Sequence, residues 1–484
     1  MSIDEKINQF FEPISKAVEG VILYSVPLVE GQEASLILLW LASIAIFYSL
    51  YLGFLNVRYF GYAVKLLFGK GMKKSDDGEI SQFQALMTCL SGTVGLGNIA
   101  MVGAAIFIGG PGAAFWMTIM GFLGMSSKFA EVMLGVKYRI HPDPENPART
   151  AGGPMYYLRV PFENMGIPVV GSIMAVSFTL FCIIGGIGGG NMLQANQVFA
   201  QLVAASGGVD ASPVAKYGWA VGLGLAFLVG IVIIGGLKSI AAVSSKIVPF
   251  MGVLYVLGGV TIIGLNVEFL PQAISTIISS AFSMEAGIGG VVGGILVGVQ
   301  RAAFSNEAGL GSAAIVQSTT NTDGPVGTGM VAMLGPFIDT IIVCNITALV
   351  IVITGAYSDI ATDGGLKAVE LTSHAFEMGI PYSQYLLTVC VFFFAFSTMI
   401  AWYYNAAICV RYLFGEKDGV ELVFKVIYCL CIIVGASAQI DHLFSFADAV
   451  FLAMAIPNVL GLYLLAPEVK RDVKGYILKL KSVE

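Results

Sequence analysis

The chain has 484 residues, 57% hydrophobic and only 12% charged, with a formal net charge of −6. A soluble globular protein carries about 25% charged residues, so a large soluble domain is excluded and a polytopic integral membrane protein is indicated. Net charge decides little here, because where the charges sit matters more than their sum, and no nucleic-acid partner is expected.

From the N-terminus, Met1 to about Phe10 is polar and acidic, with no basic region or small-residue cleavage site, so no cleaved signal peptide is expected. Residues 19–26 are short and weakly apolar and precede Pro27, which predicts an interfacial or hairpin piece rather than a span. Eleven spans are then predicted, at about 35–57, 80–108, 112–136, 169–205, 217–236, 246–267, 288–319, 327–355, 383–412, 420–437 and 442–463. A bilayer demands about 20 apolar residues per helix; the long fourth and ninth spans imply tilt or extension beyond the membrane. Seven cysteines (89, 182, 344, 390, 409, 429 and 431) and three histidines (141, 374 and 442) are scattered, with no CxxC, and predict neither a disulfide framework nor a metal cluster.

Positive charge orients this map. Arg58, Lys65, Lys70, Lys73 and Lys74 follow the first span, Lys137, Arg139, Arg149 and Arg159 the third, Lys238 and Lys246 the fifth, and Arg411 and Lys417 the ninth. Lys470, Arg471, Lys474, Lys479 and Lys481 close the chain, whereas the opposite side holds only Lys6, Lys16, Lys216 and Lys367. The positive-inside rule then places the N-terminus outside and the C-terminus in the cytoplasm of a multi-pass cell-membrane protein.

Two glycine-rich interruptions stand out. Ser91-Gly92-Thr93-Val94-Gly95-Leu96-Gly97-Asn98 lies in span two, and Ser305-Asn306-Glu307-Ala308-Gly309-Leu310-Gly311-Ser312 in span seven. Spans two to six and seven to eleven form two groups of five, and an odd repeat length makes the second copy enter from the opposite side. The expected fold is therefore an all-α polytopic membrane protein of 11 helices: one extra N-terminal span plus a 5+5 inverted-topology repeat with broken first helices. The implied divisions are 1–79 with the extra span, 80–267, an extracellular connection at 268–287, 288–463, and a basic cytoplasmic tail at 464–484.

Unwound backbone is tolerated in a membrane only where protein shields it or it lines a cavity. There its carbonyls can hold a small cation and its amides a carboxylate, helped by the half-helix N-termini. Those are the needs of a zwitterionic amino acid travelling with sodium. Thr93 and Asn98 offer oxygens to a hard cation, and Ser305 and Asn306 offer polar contacts. Glycine packing alone is the competing explanation for either motif. Charges in spans usually face a cavity or a partner: Glu307 either meets the substrate ammonium or braces the break, Arg301 attracts a carboxylate or serves as gate or anchor, and Asp339 stands between the same alternatives. Asn191 and Gln194 follow glycines 185–190 in span four, and their amides could face the site. In span nine, Ser397 and Thr398 are candidate cation ligands unless they bond the preceding turn, and Trp402, Tyr403 and Tyr404 either wall a cavity or fill the core.

The stretch Gln300-Arg301-Ala302-Ala303-Phe304-Ser305-Asn306-Glu307-Ala308-Gly309-Leu310-Gly311-Ser312-Ala313 resembles the signature of the alanine or glycine:cation symporters, within the amino acid–polyamine–cation transporter grouping. Ser91 to Ile99 and Ala151-Gly152-Gly153-Pro154-Met155-Tyr156-Tyr157 support it. The resemblance implies uptake of alanine or glycine driven by sodium, or in some members protons, with no organic cofactor. Thr93 to Asn98 is also similar to the first broken helix of neurotransmitter:sodium symporters. That likeness implies one sodium site from the Ser91 and Val94 carbonyls with Ala395 and Thr398, and a second from Thr93 and Asn98. It implies contacts to the substrate's polar head from Gly92, Thr93, Gly95 and Gly97, with Phe304, Ser305, Asn306 and Gly309 nearby. Met399 stands where a sodium-ligating hydroxyl is expected, unless Ser397 substitutes.

The function expected is symport by alternating access, for which a monomer suffices. A proton-coupled symporter is the alternative, and a passive channel a further one, although a channel calls for a continuous pore lined by repeated ligands. An ATP-driven pump is disfavoured by the absence of a P-loop, and an enzyme by the absence of clustered His, Cys or Asp.

Overall fold

A computed structural model describes residues 13, 16–20, 22–29, 32–69, 78–143, 145–146, 148–283, 287–322, 324–361, 368–438 and 440–482. Of the basic residues used for orientation, Lys6, Lys70, Lys73, Lys74 and Lys367 lie outside the described residues. The segment before the first span is a hairpin, Ser25–Val29 paired antiparallel with Gln32–Ser35; the other named elements among the described residues are helices. Among the described residues seven helices are long and apolar enough to cross a membrane, eight if one bent pair counts as a span. Two shorter apolar helices, Leu36–Tyr51 and Gly218–Ile234, accompany them.

Several boundaries differ from expectation, each for a local reason. The first span stops at Tyr51 rather than near 57, because Gly53 and Phe54 adopt left-handed φ of 64° and 52° and turn the chain into Leu55–Arg58 and then Phe60–Leu67. Spans five and six are separated only by Gly235, and Gly236, at φ 65°, opens the next helix. The sixth therefore runs Gly236–Leu265, carrying Lys238 and Lys246 on helix rather than loop. The connection at 268–287 contains the helix Leu270–Ala281, which buries Ala273, Ile277 and Ala281 along one face. The tail expected at 464–484 continues the last helix, Ala455–Lys481. Lys137 pairs with its Glu468 and Asp472, and Tyr138 donates to Glu468 at 2.5 Å.

Both glycine motifs interrupt helices. The first divides Gln82–Thr93 from a short turn at Leu96–Asn98 and Ala100–Gly109, with a bend of 59°. The second divides Gly287–Asn306 from Ser312–Gln317. The two cross antiparallel. Gly109 packs on Val297, Gly97 on Phe304 and Ser305, and Gly78, ahead of the first helix, on Thr320 beyond the second. Helices Gly112–Lys137 and Ser383–Phe414 flank this pair, and glycines let the neighbours close in. A Cβ at Gly190 would meet Trp402 at 2.3 Å, and one at Gly435 the Met192 backbone at 2.4 Å. In a membrane, where burying apolar surface adds little, close backbone approach of this kind holds helices together.

Candidate functional site

The first break is opened by close approach rather than by unusual backbone. Val94 (φ −77°, ψ 77°) ends the helix, and Gly95 is extended. A Cβ on Gly95 would stand 2.3 Å from Thr398 Oγ1, so only glycine fits there. Gly92 is less restricted, its nearest neighbours being 3.7 Å away on Ala401 and Trp402. Asn98 folds back on the break: its Oδ1 accepts from Gly95 N at 3.1 Å, while Nδ2 donates to the Asp339 carbonyl at 2.8 Å and lies 3.2 Å from Ser305 Oγ. Gln194 reaches in from span four, its Oε1 accepting from Leu96 N at 3.4 Å while Nε2 donates to Gly189 O. Span four takes a wider π-helical turn at Gly188–Met192 just before that glutamine. Turns of this kind recur at functional sites.

Sequence-predicted ion ligands gather at the same place. Thr398 Oγ1 lies 3.0 Å from the Ser91 carbonyl and 2.9 Å from that of Phe394. Ser91 Oγ donates to the Ser397 carbonyl at 2.6 Å, and Val94 and Ala395 are buried. The Ser397 hydroxyl turns back to Phe394 O at 3.0 Å, bonding its own helix. Thr93 is buried and its Oγ1 has no hydrogen-bond partner. Asn191 is not brought to the break: its Nδ2 donates to Tyr428 O at 2.8 Å, tying span four to Asp418–Ser437.

The second break is built otherwise. Glu307, Gly309 and Gly311 all take left-handed φ, of 54°, 91° and 88°. Lys128 Nζ donates to Asn306 O at 2.8 Å, and Asn458 Nδ2 to Gly309 O at 2.9 Å and to Glu131 Oε1 at 3.1 Å. Tyr157 completes this with a 2.5 Å bond to Asn458 Oδ1. Both oxygens of Glu307 are taken, one by Ser312 Oγ and one by Trp402 Nε1 at 3.0 Å. Asn306 spans its own turn, accepting from Ala308 N and donating to Thr340. Phe304 packs on Phe451, which stacks on Trp402 at 4.6 Å, an aromatic wall beside both breaks.

Arg301 is held by Asp448, at 2.8 and 3.1 Å, with Gln300 donating to the same carboxylate. Gln300 also lines a cavity of about 930 Å³ shared by the hairpin, Gly109 to Pro111 and the start of the second broken helix. A smaller cavity of about 190 Å³ lies at the other end of the first broken helix, lined by Glu79, Arg149, Gly236, Tyr403, Tyr404 and Arg411. There burial raises the Glu79 carboxyl above its usual range, with Arg149, Lys238 and Arg411 opposing.

Sequence reading passed over Lys128, Glu131, Asp448 and Asn458. The first three are charges inside apolar runs, a signal that was present; Asn458 carried none. The helix Val369–Gly379, which donates Thr372 Oγ1 to Ile99 O at 3.0 Å, was not foreseen either. Among the described residues no group of three or more His, Cys, Asp or Glu is placed to hold a metal.

The fold is similar to that of MhsT in complex with L-phenylalanine, with a TM-score of 0.55 at 16% identity, covering 81% of this chain and 89% of that one. The sodium/alanine symporter AgcS of Methanococcus maripaludis is 42% identical over 442 residues, 91% of this chain and 93% of that protein. The amino-acid carrier protein AlsT of Bacillus subtilis is 30% identical over 444 residues, 91% and 89% of the two chains. The profile described as the sodium:alanine symporter family matches residues 24–484. With seven or eight helices long and apolar enough to cross a membrane among the described residues, this chain belongs to the sodium:alanine symporter family.

Proposed function

We propose that this protein carries alanine or glycine into the cell together with sodium, by alternating access around the first break. The observation that carries the reading is the convergence at Gly95. There an extended backbone, the Thr398 hydroxyl and the Asn98 and Gln194 amides meet at one buried point, with the buried Thr93 two residues earlier on the same break.

Each end of a zwitterion has a chemical counterpart there. Backbone N–H groups at the start of a half-helix attract a carboxylate. Carbonyl and hydroxyl oxygens suit a hard cation, and Ser91, Val94, Ala395 and Thr398 supply them in one place, Thr93 and Asn98 in another, with Ser397 braced to its own helix. Gly92, Gly95 and Gly97 admit the polar head, with Gln194, Phe304, Ser305, Asn306 and Gly309 around it. Asn191 contributes from behind, by holding span four. The rings of Trp402, Phe451 and Phe304 flank the break, which favours a substrate with a small side chain.

Eleven spans in a 5+5 inverted repeat after one extra helix give the two breaks their antiparallel crossing. Exposed Arg58, Lys417 and Lys479 at one set of helix ends agree with an N-terminus outside and a C-terminus in the cytoplasm of the cell membrane. On that orientation the Arg301–Asp448 pair stands between the larger, outer cavity and the site, as an outer gate. The smaller cavity beside Arg149 and Arg411 is the inner exit. Glu307 serves as a brace rather than a substrate contact.

Uptake of labelled alanine into sealed vesicles tests this. Accumulation against the alanine gradient that collapses with the sodium gradient is expected. Accumulation that follows an imposed proton gradient without sodium would favour proton coupling, and flux needing no gradient would favour a channel.

A further inference from the structure

Negative side chains outnumber positive ones between the two breaks. Among the described residues Lys128 is the buried cation there, against the buried carboxylates of Glu131, Glu307 and Asp339. Lys128 donates to a backbone carbonyl, and Arg301 is engaged by Asp448. Glu307 has two side-chain donors and Glu131 has Asn458.

Glu131 Oε2 and Asp339 Oδ2 are both left without a partner, and of the two Asp339 is the one beside the first break. It is fully buried; its Oδ1 accepts from Thr340 Oγ1 at 2.6 Å, and its Oδ2 has no partner. Thr93, across the first break, turns its hydroxyl toward this carboxylate and has no other partner. The Asp339 carbonyl meanwhile accepts from Asn98, which fixes the residue beside the break. The helix carrying it widens into a π-helical stretch over Phe337–Cys344, which displaces the residue from a regular helical position. A buried carboxylate with an open oxygen is costly unless a cation comes to it. Two hard oxygen donors facing each other are what sodium selects over softer ligands.

We propose that Asp339 Oδ2 and Thr93 Oγ1 bind sodium at the first break, so that a full side-chain charge, and not backbone dipoles alone, holds the ion. The inference rests on the first break being the transport site and adds the carboxylate to it. It also links the ion to occlusion: without sodium, closing the site would bury Asp339 Oδ2 with no cation on it.

Sodium activation of alanine uptake, measured in parallel for the parent and Asp339→Asn, is the test. The variant should need at least about tenfold more sodium for half-maximal uptake, because a close unit-charge contact counts for much more in a low-dielectric interior than in water. A variant curve matching a sodium-dependent parent curve overturns the assignment and leaves the transport reading standing. A parent without sodium dependence overturns both. A second measurement needs no variant. Labelling of Asp339 in the unmodified protein by a hydrophobic carbodiimide, read by peptide mass spectrometry, should be slowed by sodium and not by choline. Equal labelling in the two salts would overturn the proposal.

Discussion

The two breaks share Gly-Leu-Gly and are opposites in construction. The second is cross-braced: three left-handed residues are locked by Lys128, Asn458, Ser312 and Trp402, and Tyr157 and Glu131 hold those in turn. The first keeps ordinary backbone angles, needs glycine only to pass Thr398, and leaves the Thr93 hydroxyl without a partner. A break whose backbone carbonyls and carboxylate are held by neighbouring side chains is a scaffold; one that leaves a hydroxyl open is a place to bind. In a sodium-coupled symporter of the sodium:alanine family, this difference assigns holding to one half and ligand chemistry to the other.

The largest expected effect strikes the scaffold. Asn458→Leu strands Gly309 O and Glu131 Oε1 in the interior, and should cost about 3 kcal/mol or more, as for losing a buried partner of a charged group. Thermal melts of the detergent-purified protein would show it, and a melt within a degree of the parent's would refute the bracing role. Lys128→Met should destabilise comparably, by leaving three carboxylates without their neighbouring cation.

Next comes Gly95→Leu, which drives a side chain onto Thr398. It should abolish alanine binding, and cost ~1–3 kcal/mol of stability if the neighbours yield. Thr93→Val sharpens the contrast. Its hydroxyl makes no hydrogen bond within 3.5 Å, so the melt should shift by no more than about 1 kcal/mol equivalent, while the sodium needed for half-maximal uptake rises. A change in melt with an unmoved sodium curve would reverse the assignment. Smallest is Arg149→Gln, which removes a half-exposed pair with Glu416 (2.8 Å). Such surface pairs are worth about 0–1 kcal/mol, so only the rate of release should respond, in efflux from preloaded vesicles.

Much of this was legible beforehand, for reasons that differ by element. The breaks could be read because Gly-Leu-Gly in an apolar run contradicts helix formation, and the gathering of Ser91, Thr398 and Asn98 followed from the likeness of the first motif to other sodium symporters. Helix ends were less legible. Gly235 and Gly236 make a turn so tight that Lys238 reads as loop, and the end of the chain looks like a solvated tail because one face of Ala455–Lys481 is charged while Leu462, Leu465 and Val469 bury the other. Asn191 and Gln194 look alike in sequence. Which of them faces the break depends on the π-helical turn at Gly188–Met192, which contains Asn191 and ends before Gln194, a tertiary feature that spacing does not encode. The bracing residues Lys128 and Asn458 lie far along the chain from the break they hold, and only packing brings them together.

The account depends most on the first break being the binding centre while the second carries the frame. Equilibrium binding of labelled alanine to the purified protein, titrated with sodium, tests this most directly when Gly95→Leu is run beside the parent. The account predicts saturable, sodium-dependent binding in the parent and none in the variant, both giving cooperative melts. Parental affinity in Gly95→Leu would contradict it and place the amino acid elsewhere in the fold.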